Sequence, residues 1–263
     1  MIVSKYFMFF SDFVNLEIVC KKFKGNMEKF HFNPIPLTNK TIKHFPSIET
    51  LNLWSEKDET FGNHIKSIMP KKMVFSEILK SFYRVRVFYP ITYQDYLLNI
   101  KGVFMFFNVC YTQDNKNSFG KVIPQSVTSL NINCYYNDNT LKSIDIPNQV
   151  SFIGGSCFYS CQNLVRVVLP NNLRVLQPYT FCQCNSLIDI NIPNRVVSIG
   201  NSCFYNCKKL ESVTLGNCVT SVGQQCFYCC KNLTKINTNN SIVEIGFEAF
   251  KYCDKLEINK MLK

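Results

Sequence analysis

Over the second half of the chain the apolar positions return every 23 residues without an insertion. Phe recurs at 158, 181, 204, 227 and 250, Cys at 161, 184, 207, 230 and 253, and Leu at 164, 187, 210, 233 and 256. Aliphatic residues keep the same step at 144, 167, 190, 213 and 236, and at 153, 176, 199, 222 and 245. The repeating unit reads L-x-x-I-x-I-P-x-x-V-x-x-I-G-x-x-x-F-x-x-C-x-x. Alternation in L-x-x-I-x-I predicts a short strand. Proline then ends it, because it cannot donate to a ladder. V-x-x-I-G predicts a second extended piece, with its glycine (154, 200, 223 and 246, but Gln177 in one unit) at a tight corner. F-x-x-C-x-x-L has the spacing of one helical turn or a short helix. One degenerate unit lies upstream, with Pro124, Tyr135, Leu141 and Asp138 in the cysteine position. A further step back, to Thr112 and Ser118, finds no signal.

The first half is patterned differently. Residues 1–30 suit a pair of helices, with Ile2, Val3, Tyr6 and Phe7 on the first and Phe13, Leu16 and Val19 on the second. Phe45 to Trp54 suits one isolated strand. Val74–Phe82 suits a helix, Arg84–Tyr89 alternates as a strand does, and Thr112–Gly120 suits a loop. No repeat can bury its apolar side alone, so neighbours must stack, and aligned strands then form one face of the coil. The expected fold is an α+β repeat solenoid of 23-residue units behind a mainly helical N-terminal region. The expected boundaries are a helical or capping segment at 1–33, an irregular, partly strand-bearing region at 34–118, and the array at 119–263.

The repeat resembles the BspA-like leucine-rich repeat, whose unit is close to L-x-x-I-x-I-P-x-x-V-x-x-I-G-x-x-A-F-x-x-C-x-x, over about residues 119–258. The family's Ala before Phe stands here only at Ala249, with Cys157, Cys203, Cys226 and Thr180 elsewhere. The resemblance, closest to the protist type, implies a solenoid used for binding; bacterial members are surface adhesins. Asp12-Phe13, Leu16 and Val19-Cys20-Lys21-x-Phe23 resemble the second half of an F-box. That resemblance implies a ubiquitin-ligase adaptor as partner. Without it, the segment would be a cap over the solenoid.

Composition changes this picture little. The net charge of +11 is divided between residues 1–120 (+6) and 121–263 (+5), with no basic block, so no nucleic acid is expected. No apolar run reaches the ~18 residues of a membrane span. The N-terminus has one Lys inside its apolar stretch and no small-residue cleavage site, which implies a folded start. The expected location is cytoplasmic, or peripheral at the plasma membrane. Fourteen cysteines would suggest a disulfide framework in a small secreted chain, but in the cytosol they read as small core residues. Cys226, Cys229 and Cys230 lack the second ligand pair of a zinc site, and all three histidines lie in the first half. No phosphate loop, nucleophile elbow or repeated carboxylate pair occurs, so no enzyme and no cofactor are expected.

What remains is surface. In each strand the outward positions differ from unit to unit while the inward ones do not: Ser143 and Asp145, Arg166 and Val168, Asp189 and Asn191, Ser212 and Thr214, Lys235 and Asn237. Such a row is the expected binding face for a protein ligand. Tyr159, Tyr205 and Tyr228, interrupted by Cys182 and Lys251, form a second candidate row.

Overall fold

The computed structural model describes residues 7–19, 21–67, 80–238 and 242–257. It divides into two compact units, Met1–Asn108 and Val109–Lys263.

In the first unit, helix α1 (Phe10–Val19) buries Phe13. That ring meets Phe30 and Phe45 edge-on at 5.7 and 5.5 Å. The helix is the second of the expected pair; of the first, residues 1–6 lie outside the described residues and Phe7 is not helical. β1 (Thr50–Leu53) pairs in parallel with β2 (Arg84–Val87). β3 (Ile91–Thr92) leads into α2 (Tyr93–Asn99), whose N-cap hydroxyl, Thr92, accepts from the Asp95 amide. β4 (Phe104–Phe106) pairs in parallel with β2. The 45–54 strand is therefore the first of a three-stranded parallel sheet, not isolated. Leu51, Leu53, Val85 and Val87 carry its core side. Most of the helix expected at Val74–Phe82 lies outside the described residues, and Lys80–Phe82 is not helical.

The second unit is a β-solenoid, the leucine-rich-repeat architecture. β5 (Val109–Tyr111), α3 (Gln113–Phe119) and β6 (Ser129–Leu130) open it. Then come β7 (Ser143–Asp145), β8 (Phe152–Ile153), β9 (Arg166–Val168), β10 (Val175–Leu176), β11 (Asp189–Asn191), β12 (Ser198–Ile199), β13 (Ser212–Thr214), β14 (Ser221–Val222), β15 (Lys235–Asn237) and β16 (Glu244–Ile245). Odd-numbered strands from β7 form the front row and even-numbered strands from β6 the back row. Every pairing within the two rows is parallel and steps by 23 residues. The segment read as a loop at Thr112–Gly120 is α3, closed by a capping box between Thr112 and Asn115.

The F-x-x-C segment is not helical. It is a run of turns in which the residues two before and two after each Phe, such as Ser202 and Asn206, take φ near +55°. This alternation turns every second peptide along the solenoid axis. The amides of Ser202, Phe204 and Asn206 donate to the carbonyls of Gln224, Cys226 and Tyr228 in the next rung at 2.8 Å. The same three bonds recur at all five junctions from Asn133 to Cys229. A short helix would spend those amides inside its own rung.

The rung interior is a set of columns. Tyr135, Phe158, Phe181, Phe204, Phe227 and Phe250 stack with centroids 5.1–5.5 Å apart. Corner glycines are set by crowding. A Cβ on Gly200, Gly223 or Gly246 would come within 2.3–2.6 Å of the preceding rung's backbone, and none of the three has a positive φ. The back row is interrupted once, between β8 and β10, at the junction entered by Gln177. The 22-residue offset of the glycine contacts pairs Gln177 with Gly155.

Candidate partner-binding face

On the front row Ile144, Val167, Ile190, Val213 and Ile236 point inward and are buried. The ten outward positions then fall into two straight columns. One holds Ser143, Arg166, Asp189, Ser212 and Lys235; the other holds Asp145, Val168, Asn191, Thr214 and Asn237. All ten are exposed or half-exposed. Their mutual bonds are few. Arg166 Nη1 lies 2.9 Å from Asp145 Oδ1, with both side chains more than 60% exposed, and Asn237 Nδ2 donates to Thr214 Oγ1 at 3.3 Å. A solvated pair of that kind contributes little stability and is free to change partner.

Two features of this face were not foreseen from the sequence. The front row is also interrupted once, between β9 and β11, where a long bond from the Ile188 amide to the Val165 carbonyl, 3.5 Å, links the two strands' leading ends. Around that interruption Val165, Val168 and Ile188 are each about 40% exposed. The signal was present: at the column of Val165 and Ile188 the other rungs carry Lys142, Glu211 and Thr234.

The turn side carries the second row. Tyr136 stacks on Tyr159, and Tyr205 on Tyr228, each at 5.0 Å, with buried Cys182 between the pairs. Tyr252 meets Tyr228 edge-on. The rings lie face to face along the solenoid, so they present edges outward.

Most of the described cysteines line the interior. Cys161, Cys184, Cys207, Cys230 and Cys253 each donate a thiol hydrogen to the carbonyl of Tyr135 or a stacked Phe in the preceding rung, at 3.0–3.1 Å. Burial pushes Cys161 and Cys203 up to about 12, and Cys184, Cys207 and Cys226 well above the ordinary thiol range. Such thiols stay protonated and are poor nucleophiles and poor metal ligands. Among the described residues no three His, Cys, Asp or Glu side chains converge as a metal site would require. No helix among them is long and apolar enough to cross a membrane.

The BspA type Leucine rich repeat region matches residues 108–199 and 174–261, in six copies. A leucine-rich repeat protein of T. pallidum is 26% identical over 53% of this chain and 78% of its own, with a TM-score of 0.45. A leucine-rich repeat protein of Eubacterium ventriosum is 27% identical over 49% of this chain and 35% of its own, with a TM-score of 0.46. A leucine rich cell surface protein of Faecalibacterium prausnitzii is 26% identical over 46% of this chain and 32% of its own, with a TM-score of 0.45. The chain thus spans about a third of the last two. No curated protein matches it. Since the repeat region runs from residue 108 to 261, more than half the sequence, the chain belongs to the BspA type leucine-rich repeat family.

Proposed function

We propose that the second unit is a non-enzymatic protein-interaction scaffold whose front row is the binding face. One observation carries the reading: an unvarying inward column supports two outward columns whose members differ in charge and polarity from rung to rung. The centre of the face is the interrupted junction, where Arg166 and Asp189 stand among exposed Val165, Val168 and Ile188. Charge beside exposed aliphatic surface suits a protein partner. The test compares the full chain with an Arg166→Glu, Asp189→Lys double variant by affinity capture and mass spectrometry. The partners of the unmodified chain are expected to be lost, while a Lys208→Ala control keeps them. An unchanged partner set would overturn the reading.

Two further readings concern the setting. The similarity to a cell surface protein favours a surface scaffold, which predicts labelling of intact cells by an impermeant reagent. The ligase-adaptor reading draws support from α1, where Ile18 and Val19 are 76% and 83% exposed and could meet another helix. It predicts a cytoplasmic or membrane-peripheral protein and capture by purified ligase adaptor. Val19→Asp would abolish that capture. No capture with Val19 intact ends this reading.

A further inference from the structure

The first unit carries a second, chemically distinct surface. The outward side of its parallel sheet holds three aromatic rings immediately beyond the strands. Trp54 stacks on Phe88 at 6.3 Å, and Phe88 on Phe107 at 4.8 Å, with planes within 13°. They stand 38%, 38% and 47% exposed, a continuous aromatic comb at the end of the sheet. One step back along the strands Asn52, Arg86 and Met105 lie in register, with Arg86 at the centre. Arg84 lies on the same side of β2, as the alternating burial of that strand shows.

Arg86 is incompletely matched. It is half-buried, its Nε has no acceptor, and the neighbouring Asn52 Oδ1 has no donor. Asn52 is 5% exposed, with Nδ2 committed to the Asn33 carbonyl. None of β1, β2 and β4 contains Asp or Glu. Beyond the aromatic comb Asp58 Oδ2 is taken by the backbone amides of Trp54 and Ser55. Arg86 Nε and Asn52 Oδ1 are both shut off from solvent, so a partner meets Arg86 only through the part of its side chain that remains exposed. A carboxylate is the complement that an arginine without an acidic residue in its own sheet lacks. Aromatic, Met and Arg side chains are also the types enriched where proteins meet.

We propose that this face binds an extended segment of a partner protein that carries a carboxylate beside an apolar side chain. The carboxylate sits on the exposed part of Arg86, and the apolar side chain packs on Trp54, Phe88 and Phe107. This binding is independent of the front row of the second unit.

Trp54 is the chain's one tryptophan, so its emission reports occupancy directly. The experiment selects random displayed peptides on the full chain and synthesises the enriched sequences. They are expected to share an Asp or Glu next to Leu, Ile or Phe, to shift Trp54 emission on titration, and to bind more weakly as NaCl rises. Arg86→Gln should weaken them by about tenfold or more, and Arg86→Lys by less. The double variant Arg166→Glu, Asp189→Lys should bind them as the unmodified chain does. Peptides without a carboxylate, unchanged Trp54 emission, or binding lost in the front-row variant would each overturn the proposal. Should Arg86→Gln fail to fold, the emission shift and salt dependence on the unmodified chain decide.

Discussion

Asp138 occupies, in the first rung, the place that cysteine holds in the next five. The rung's outer neighbour explains the exchange. Cys161 gives its hydrogen to Tyr135, but Tyr135 has α3 beyond it and no further turn. Lys116 of α3 lies over the Tyr135 ring at 5.5 Å. It reaches Asp138 at 3.2 Å, and Lys121 reaches it at 3.1 Å. Burial pushes the Asp138 carboxyl up, but hydrogen bonds from Thr140, Lys121 and Lys116, with the Lys116 charge, outweigh it and hold the group at about 2. A folded pKa below the ordinary 3.8 means stability that is present above about pH 4 and lost as pH falls toward 2. Asp138→Asn should therefore cost about 2 kcal/mol at pH 7, and the penalty should shrink on acidification; urea melts at pH 7 and pH 3 measure both. The interior cysteines make the opposite prediction, of inertness. Iodoacetamide under native conditions should modify exposed Cys218 on the order of a hundredfold faster than Cys184 or Cys207. Peptide mapping reads the order, and early modification of either buried thiol would contradict the interior bonding.

Individual rungs show what a repeat makes legible. The period announced the strands from β7 to β16, because one side chain type, seen five times, speaks for a column. The corner glycine was legible as a position, but its cause was not. It is the neighbouring backbone, and only stacked rungs reveal that. Gly223→Ala would set a Cβ 2.6 Å from the Asn201 nitrogen and should cost about 2 to 3 kcal/mol by overpacking. Gln177→Gly should do the reverse and raise the melting temperature by letting β8 and β10 close; calorimetry on both variants checks the pair. Turns in place of a short helix could not be read from spacing. Asn133, Ser156, Tyr179 and Cys229 share a left-handed conformation without sharing a chemistry, because bonds between rungs impose it. α3 escaped for a related reason. QDNKNSF has no apolar periodicity, and its helix rests on the Thr112–Asn115 box. Alternation put the front-row residues at outward strand positions, whereas the aromatic comb of the first unit follows no fixed period. Trp54, Phe88 and Phe107 are 34 and 19 residues apart.

At the scale of the molecule, stability is a sum over neighbours, since each rung touches only the next. Phe204→Ala, in the middle of the stack, should cost about 3 to 5 kcal/mol and divide thermal unfolding into two transitions, where the unmodified array melts in one. Hydrogen exchange should be slowest at the amides of Phe158, Phe181, Phe204 and Phe227, whose row is unbroken, and faster at Gln177 and Ile188, beside the two interruptions. That unbroken row has an electrical consequence. In each turn segment three peptide groups aim their carbonyls toward the preceding rung and their amides toward the following one. Five junctions set these groups head to tail, so their dipoles add along the solenoid axis as they do in a helix. Relative to chain direction the polarity is that of a helix reversed, with the carbonyl, negative pole at the first rung. Lys116 and Lys121 stand beside that pole. Their charge therefore steadies the whole column of peptides behind Tyr135, as well as the single carboxylate they touch.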